Sequence, residues 1–221
     1  MAMPFPGIGI PTGMGLRLST DTPTGMPTLP AMCMPCGMGM LTGMDTLTNL
    51  PNRRLLDDRL SLTMASSKRT GLYGALMFLD LDNFKPLNDT HGHDAGDLLL
   101  VEVAQRLKSS VREVDTVART GGDEFVVLIT ELEQDQIIAS RRALAIAEKI
   151  RLILAKPYVL EMQHNKEAAS KVEHHCTASI GVVIFSGDAA SKEEVLKRAD
   201  NAMYQAKEAG RNRIQFDEVV L

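Results

Sequence analysis

The stretch Arg119-Thr120-Gly121-Gly122-Asp123-Glu124-Phe125, running on into Val126-Val127-Leu128-Ile129, limits the possible folds more than any other part of this chain. Two glycines and two carboxylates between β-forming residues predict a hairpin, with strands over 114–120 and 124–130. Gly121 and Gly122 suit the tip because they reach backbone angles closed to other residues and let a ligand approach the main chain. Asp123 and Glu124 are adjacent, so on extended backbone they point to opposite faces, and only one can face a given site directly. Taken alone, such a tip reads equally as a surface turn.

A second acidic stretch shifts that balance. Leu79-Asp80-Leu81-Asp82-Asn83-Phe84-Lys85 follows the strand-like run Gly74-Ala75-Leu76-Met77-Phe78. A strand ending in carboxylates presents them at the sheet edge, and spacing two puts Asp80 and Asp82 on one face. With Asp123 they form a candidate Mg²⁺ site, since this hard cation takes few protein carboxylates plus substrate phosphates. Asp82 has a second reading, as the cap of a short helix that Asn83 begins.

The 221 residues fit one globular domain with a tail. Residues 1–44 are dense in Met, Pro, Gly and Thr and carry only Arg17 and Asp21 as side-chain charges, which predicts a disordered or loosely packed segment. They lack the basic start and unbroken apolar core of a secretory leader. Cys33-Met34-Pro35-Cys36 is a lone pair without a second pair or nearby histidines, and reads as incidental cysteines rather than a zinc site. A formal charge of −4 leaves no basic footprint for nucleic acid. No apolar run approaches the ~18 residues of a membrane span. Three cysteines fit a reducing cytoplasm better than a disulfide framework.

The folded domain is expected over 45–221. Its first helix opens at Asn52-Arg53-Arg54 with Leu55, Leu56, Leu60 and Leu62 as apolar positions. A strand over 73–81 and the Asp82 turn follow. Leu98, Leu99, Val101, Val103, Ala104 and Leu107 predict a helix with one buried stripe. After the hairpin come a helix over 139–155 ended by Pro157, strands over 158–162 and 176–185, and a polar loop over 163–175 between them. A last helix over 192–209 stops at Gly210, and Ile214-Gln215-Phe216 closes the sheet. Mixed strands flanked by helices give an α/β fold.

Six motifs in order make the chain resemble the GGDEF-domain diguanylate cyclases. They are Gly121 to Phe125; the Asp80 stretch; Asn88 to Asp97; Asp45 to Arg54; Thr177 to Val182; and Ala199 to Asn212. The resemblance covers about 45–217 and implies the mixed sheet of nucleotidyl cyclases and polymerase palms. It also implies a reaction: two GTP molecules joined into cyclic di-GMP with release of two pyrophosphates, in a homodimer, with Mg²⁺ or Mn²⁺.

Carried onto this sequence, the resemblance makes Asp80, the carbonyl of Leu81 and Asp123 metal ligands, with Asp82 and Glu124 as possible supporting residues. Asp123 is also the implied proton acceptor. Lys85 meets charge on the phosphates, Lys207 and Arg211 clamp the triphosphate, and Gly121 and Gly122 lie against substrate. Asn88 and Asp97 read guanine and His93 is a further substrate contact; Asn88 offers donors and an acceptor, Asp97 acceptors only. Without the resemblance, Lys85 reads as a solvated lysine and the Lys207/Arg211 end as a basic helix terminus favoured by the dipole. Arg112-Glu113-Val114-Asp115 stands five residues before Gly121, where the family holds inhibitory product; its plain reading is a surface ion pair worth under about 1 kcal/mol. Arg141 or Arg142 is the candidate second inhibitory arginine. Two competing functions remain: a module that senses GTP or cyclic di-GMP without turnover, and a cyclase of another purine nucleotide.

Overall fold

The computed structural model describes residues 43–162, 170–186 and 191–217. The expectations for the N-terminal tail, including Cys33 and Cys36, and for 163–169 therefore fall outside the described residues, apart from Gly43 and Met44. Those two are tied to the fold: Met44 bridges Pro51, and the Asn52 N–H donates to the Gly43 carbonyl at 2.9 Å.

In chain order the elements are α1 Arg53–Thr70, β1 Gly74–Asp82, α2 Phe84–His91, α3 His93–Ser110, β2 Thr116–Gly121, β3 Glu124–Ile129, α4 Gln136–Leu154, β4 Tyr158–Met162, β5 Ser170–His174, β6 Thr177–Phe185, α5 Lys192–Glu208 and β7 Ile214–Asp217. Five strands form one sheet in the order β2-β3-β1-β6-β7. Its pairs are antiparallel except β6–β7, which is parallel. The expected α/β architecture, a mixed central sheet flanked by helices, is the one observed.

Period-two alternation along the central strand builds both cores at once. Ala75, Met77, Leu79 and Leu81 of β1 pack with α3, α4 and Tyr158 of β4. Leu76 packs with Leu56 and Leu60 of α1 and with Val195 and Ala199 of α5 on the other face. Counting on by twos from Leu76, Asp80 and Asp82 belong to the α1/α5 face. α5 lies close on β6 because Gly181 has no side chain: a Cβ there would overlap the Ala199 carbonyl and the Met203 nitrogen.

Several expectations are corrected. Residues 170–174, expected as loop, form β5 and pair with β4 from Tyr158↔His174 to Met162↔Ser170; Ser-Lys-Val-Glu-His has one apolar residue and leaves no apolar alternation to read. Leu62 is 72% exposed and Leu98 38%, so neither joins its helix's buried stripe. Helix α1 is capped by Asn52, whose Oδ1 accepts from the Leu55 N–H. Asp82 caps nothing: α2 is preceded by Asn83 in the left-handed region (φ 59°), with no side-chain cap.

Candidate active site

The hairpin tip carries Gly121 at φ +154° and Gly122 at φ +49°, both exposed. The strand register seats it beside the end of β1. Asp80 lies directly opposite Glu124, and the Leu81 N–H donates to the Asp123 carbonyl at 3.3 Å. Cross-strand partners share a face, so Glu124 stands beside Asp80 on the α1/α5 side. Glu124 also accepts from Thr120 Oγ1 at 3.3 Å and helps line a cavity of about 470 Å³ with Phe78 and Lys192.

Asp80 is buried and its Oδ2 meets Lys207 Nζ at 2.7 Å. Burial pushes its carboxyl up to about 6; Lys207 opposes the rise, and the negative charges of Asp123 and Glu124 add to it. Carboxylates that repel one another at a partly dehydrated edge suit a hard divalent cation completed by substrate oxygens. Among the described residues no three Asp, Glu, His or Cys side chains are grouped so as to hold a metal ion.

Asp82, two residues beyond Asp80, is engaged inside the fold. At 3% exposure, it accepts from Thr177 Oγ1 (2.6 Å), Ser179 Oγ (2.7 Å) and the Asn212 N–H (3.0 Å). It caps no helix: its partners are two hydroxyls that β6 presents to that face of β1 and a backbone N–H of the turn after α5. Cys176 lies nearby, its buried thiol pushed up to about 12 by desolvation and then by the charges of Asp82, Asp123 and Asp80.

Lys207 is in the last turn of α5, whereas Arg211 lies beyond it at φ 61° between Gly210 (φ 113°) and Asn212 (φ 47°). The four-residue spacing is therefore not a helical one. Lys85, in the first turn of α2, is exposed. Asn88 on α2 lies against Gly96 of α3, where a Cβ would overlap Asn88 Oδ1; Asp97 is the next residue of α3. Asn88 Oδ1 is buried with no hydrogen-bond partner, an acceptor waiting for a donor. His93 opens α3 and is exposed, as is Asp97.

Two residues quoted in the motifs gain roles that their letters did not carry. Arg119 Nε and Nη2 donate to the Gly122 carbonyl at 3.0 and 2.8 Å, while Nη1 reaches Asp45 at 3.1 Å. The turn ahead of α1 thus braces the hairpin tip. Charge at both positions was the available signal, but their separation by 74 residues hid the pairing.

Arg112 and Asp115 sit in the turn before β2, not on the strand. Their contact is more than a surface ion pair: the Asp115 side chain is 1% exposed and accepts from Arg112 Nη2 (3.0 Å), the Arg112 N–H (3.0 Å) and the Thr130 N–H (3.1 Å). Arg112 remains 55% exposed and lines a cavity of about 310 Å³ with Arg142. Arg142 pairs with Glu133 at 2.7 Å.

Residues 42–213 match the family described as diguanylate cyclase, GGDEF domain. The chain belongs to the GGDEF-domain family. It is 44% identical over 167 residues to the bifunctional diguanylate cyclase/cyclic di-GMP phosphodiesterase MucR of Pseudomonas aeruginosa, covering 76% of this chain and 22% of MucR. It is 39% identical over 164 residues to the response regulator PleD of Caulobacter vibrioides, 74% of this chain and 33% of PleD. This GGDEF chain thus spans under half the length of these curated relatives. Among solved structures, the GGDEF domain of YfiN (TpbB) from Pseudomonas aeruginosa aligns with TM-score 0.68 at 34% identity, covering 78% of this chain and 99% of that one. The GGDEF domain of DgcB from Caulobacter crescentus, solved in complex with c-di-GMP, aligns with TM-score 0.67 at 32% identity, covering 80% and 94%.

Proposed function

We propose that this GGDEF chain is a diguanylate cyclase: it condenses two GTP into cyclic di-GMP and releases two pyrophosphates. The observation that carries the reading is the Asp80–Lys207 ion pair directly beside the Gly121–Glu124 tip. It puts an acidic edge and a mobile cation where a triphosphate needs both.

In each half-reaction a 3′-oxygen attacks an α-phosphorus, the bond to the bridging oxygen breaks, and pyrophosphate leaves. Asp123 takes the hydroxyl proton. Lys207 exchanges Asp80 for phosphate oxygens, Arg211 and Lys85 add positive charge, and the exposed Gly121 and Gly122 let the ligand lie against the backbone. Asp80, Asp123 and the Leu81 carbonyl are the residues to hold Mg²⁺ or Mn²⁺, which when bound stabilises charge on the attacking and leaving oxygens. Asn88 Oδ1 accepts from the guanine edge with Asp97 beside it, and His93 contacts the nucleotide from the start of α3.

One domain offers one GTP site, so two copies must meet head to tail: the active species is a homodimer. Cyclic di-GMP binds back at the Arg112–Asp115 pair, where the buried Asp115 holds the exposed arginine, with Arg142 as the second arginine because it shares a cavity with Arg112. Among the described residues no helix is long and apolar enough to cross a membrane. The GTP pool places the reaction in the cytoplasm. Incubating the purified chain with Mg²⁺ and GTP tests the reading, with pyrophosphate and cyclic di-GMP followed together. Two pyrophosphates per cyclic dinucleotide are expected; nucleotide binding without turnover would leave a sensing module instead.

A further inference from the structure

We infer that Asp82 is a positioning residue for the phosphate-binding turn that carries Arg211, and not a metal ligand. The inference rests on the cyclase reading only for the identity of the phosphate ligand; the geometry stands without it.

Gly210, Arg211 and Asn212 take φ values of 113°, 61° and 47° in succession. Two consecutive non-glycine residues in the left-handed region are unusual, and such a run persists only where its surroundings over-determine it. Contacts of this kind are present on several sides. The Arg211 N–H returns to the Ala206 carbonyl at 3.1 Å, and Arg151 Nη1 donates to Asn212 Oδ1 at 2.8 Å. The Ile180 N–H donates to the Arg213 carbonyl at 2.9 Å. From inside the fold, Asp82 Oδ2 accepts the Asn212 N–H at 3.0 Å.

Asp82 is itself held in place. Thr177, its cross-strand partner, and Ser179, the next residue on that face of β6, donate their hydroxyls to its two oxygens. Its three donors thus come from β6 and from the turn after α5, and the carboxylate ends the same strand that carries Asp80 and Leu81. One buried side chain therefore fixes the spacing between the acidic edge and the turn of Arg211. At 3% exposure Asp82 presents little of either oxygen to the outside, whereas a metal ligand must face the site.

Hydrogen-bond capacity separates position from charge. In Asp82→Asn the amide oxygen can keep Thr177 and the Asn212 N–H, while the amide NH₂ donates to Ser179 Oγ, which rotates to accept. Asp82→Ala keeps none of these contacts. The experiment is calorimetry on the full chain with Mg²⁺, comparing the α,β-methylene analogue of GTP, which cannot transfer its α-phosphoryl group, with GMP. Asp82→Ala should weaken the triphosphate analogue by about tenfold, the scale of a lost charge-assisted hydrogen bond, and GMP by less than about twofold. Asp82→Asn should stay within about threefold of wild type for both. Amide exchange at Asn212 should rise in Asp82→Ala alone, a readout that needs no nucleotide.

If Asp82→Ala does not fold, the double variant Thr177→Val/Ser179→Ala frees the carboxylate while keeping β-compatible side chains, and should show the same selectivity for the triphosphate. Equal losses for both ligands, unchanged triphosphate affinity, or an Asn variant as weak as the Ala variant would overturn the assignment. Failure of the wild-type chain to bind either nucleotide would defeat the cyclase reading and the phosphate role with it. Unprotected exchange at Asn212 in wild type would defeat the positioning geometry independently.

Discussion

Gly96→Ala separates base recognition from stability. Gly96 lies inside α3 and is buried against α2, and it has no positive φ that would forbid a side chain. A Cβ there would overlap Asn88 Oδ1 and come within 3.0 Å of Asn88 Cγ and 3.1 Å of Phe84 Cζ. Against this stands a helix-propensity gain of about 1 kcal/mol for Ala over Gly. Asn88 Oδ1 has no partner to lose, so its amide can rotate away at small cost, and net stability should stay within about 1 kcal/mol of wild type. The displaced amide can no longer accept from a guanine. An unmade buried hydrogen bond costs about 1–3 kcal/mol, so GTP affinity should fall by roughly five- to 150-fold. Thermal melts and calorimetry on the same preparation read the two effects. A variant that melts within a few degrees of wild type yet binds GTP with unchanged affinity would refute the claim that Asn88 reads the base. A large loss of stability would refute the claim that its side chain is free to move.

Asp80→Ala and Asp123→Ala should each cut turnover by about 10³-fold or more, the scale seen when other transition-state stabilisers are removed; turnover within tenfold of wild type for either would remove it from the site. Asp80 also sets a pH signature, since its folded carboxyl stands at about 6, above its ordinary value of 3.8. The folded state therefore binds the extra proton between those values, this group lowers stability as pH rises through the window, and Asp80→Asn should melt higher than wild type at neutral pH, with the gap closing toward pH 4. Arg112→Ala should weaken cyclic di-GMP by about tenfold or more in calorimetry while the initial rate holds. Its stability should fall by about 1–3 kcal/mol, because the buried Asp115 loses its charged partner and keeps only the N–H groups of residue 112 and Thr130. Specific activity should rise with protein concentration as dimers form, and strict proportionality down to nanomolar protein would mean either a very tight dimer or a competent monomer.

The framework of the fold was legible because it is local. The helix start at Asn52-Arg53-Arg54, the alternation along β1 and the two glycines before Asp123 each depend on residues a few positions apart, and the structure follows them with small shifts at the ends. The β4–β5 hairpin was not legible. Its second strand, Ser-Lys-Val-Glu-His, has one apolar residue, so its pairing with β4, through backbone bonds and the Lys171–Glu161 ion pair, leaves no apolar pattern in the sequence. The N-capping reading of Asp82 failed for a related reason: a cap requires only a carboxylate near a helix start, and the sequence does not say whether a better set of donors lies across the sheet.

Asp80 and Asp82 show where local reading stops. Spacing two puts both on one face of β1, and that much held. Their fates diverge through partners 95 to 130 residues away: Asp82 meets the hydroxyls of Thr177 and Ser179 and the amide of Asn212, whereas Asp80 meets Lys207. Held by three neutral donors and only 3% exposed, Asp82 is fixed facing into the fold. Asp80 is held by one long, flexible lysine against the repulsion of Asp123 and Glu124, an arrangement that a divalent ion and a phosphate can both exploit. The difference between a structural and a reactive carboxylate here lies in how replaceable the partner is. Hydroxyls and a backbone amide stay where the sheet puts them, and an ammonium on a four-carbon stem does not.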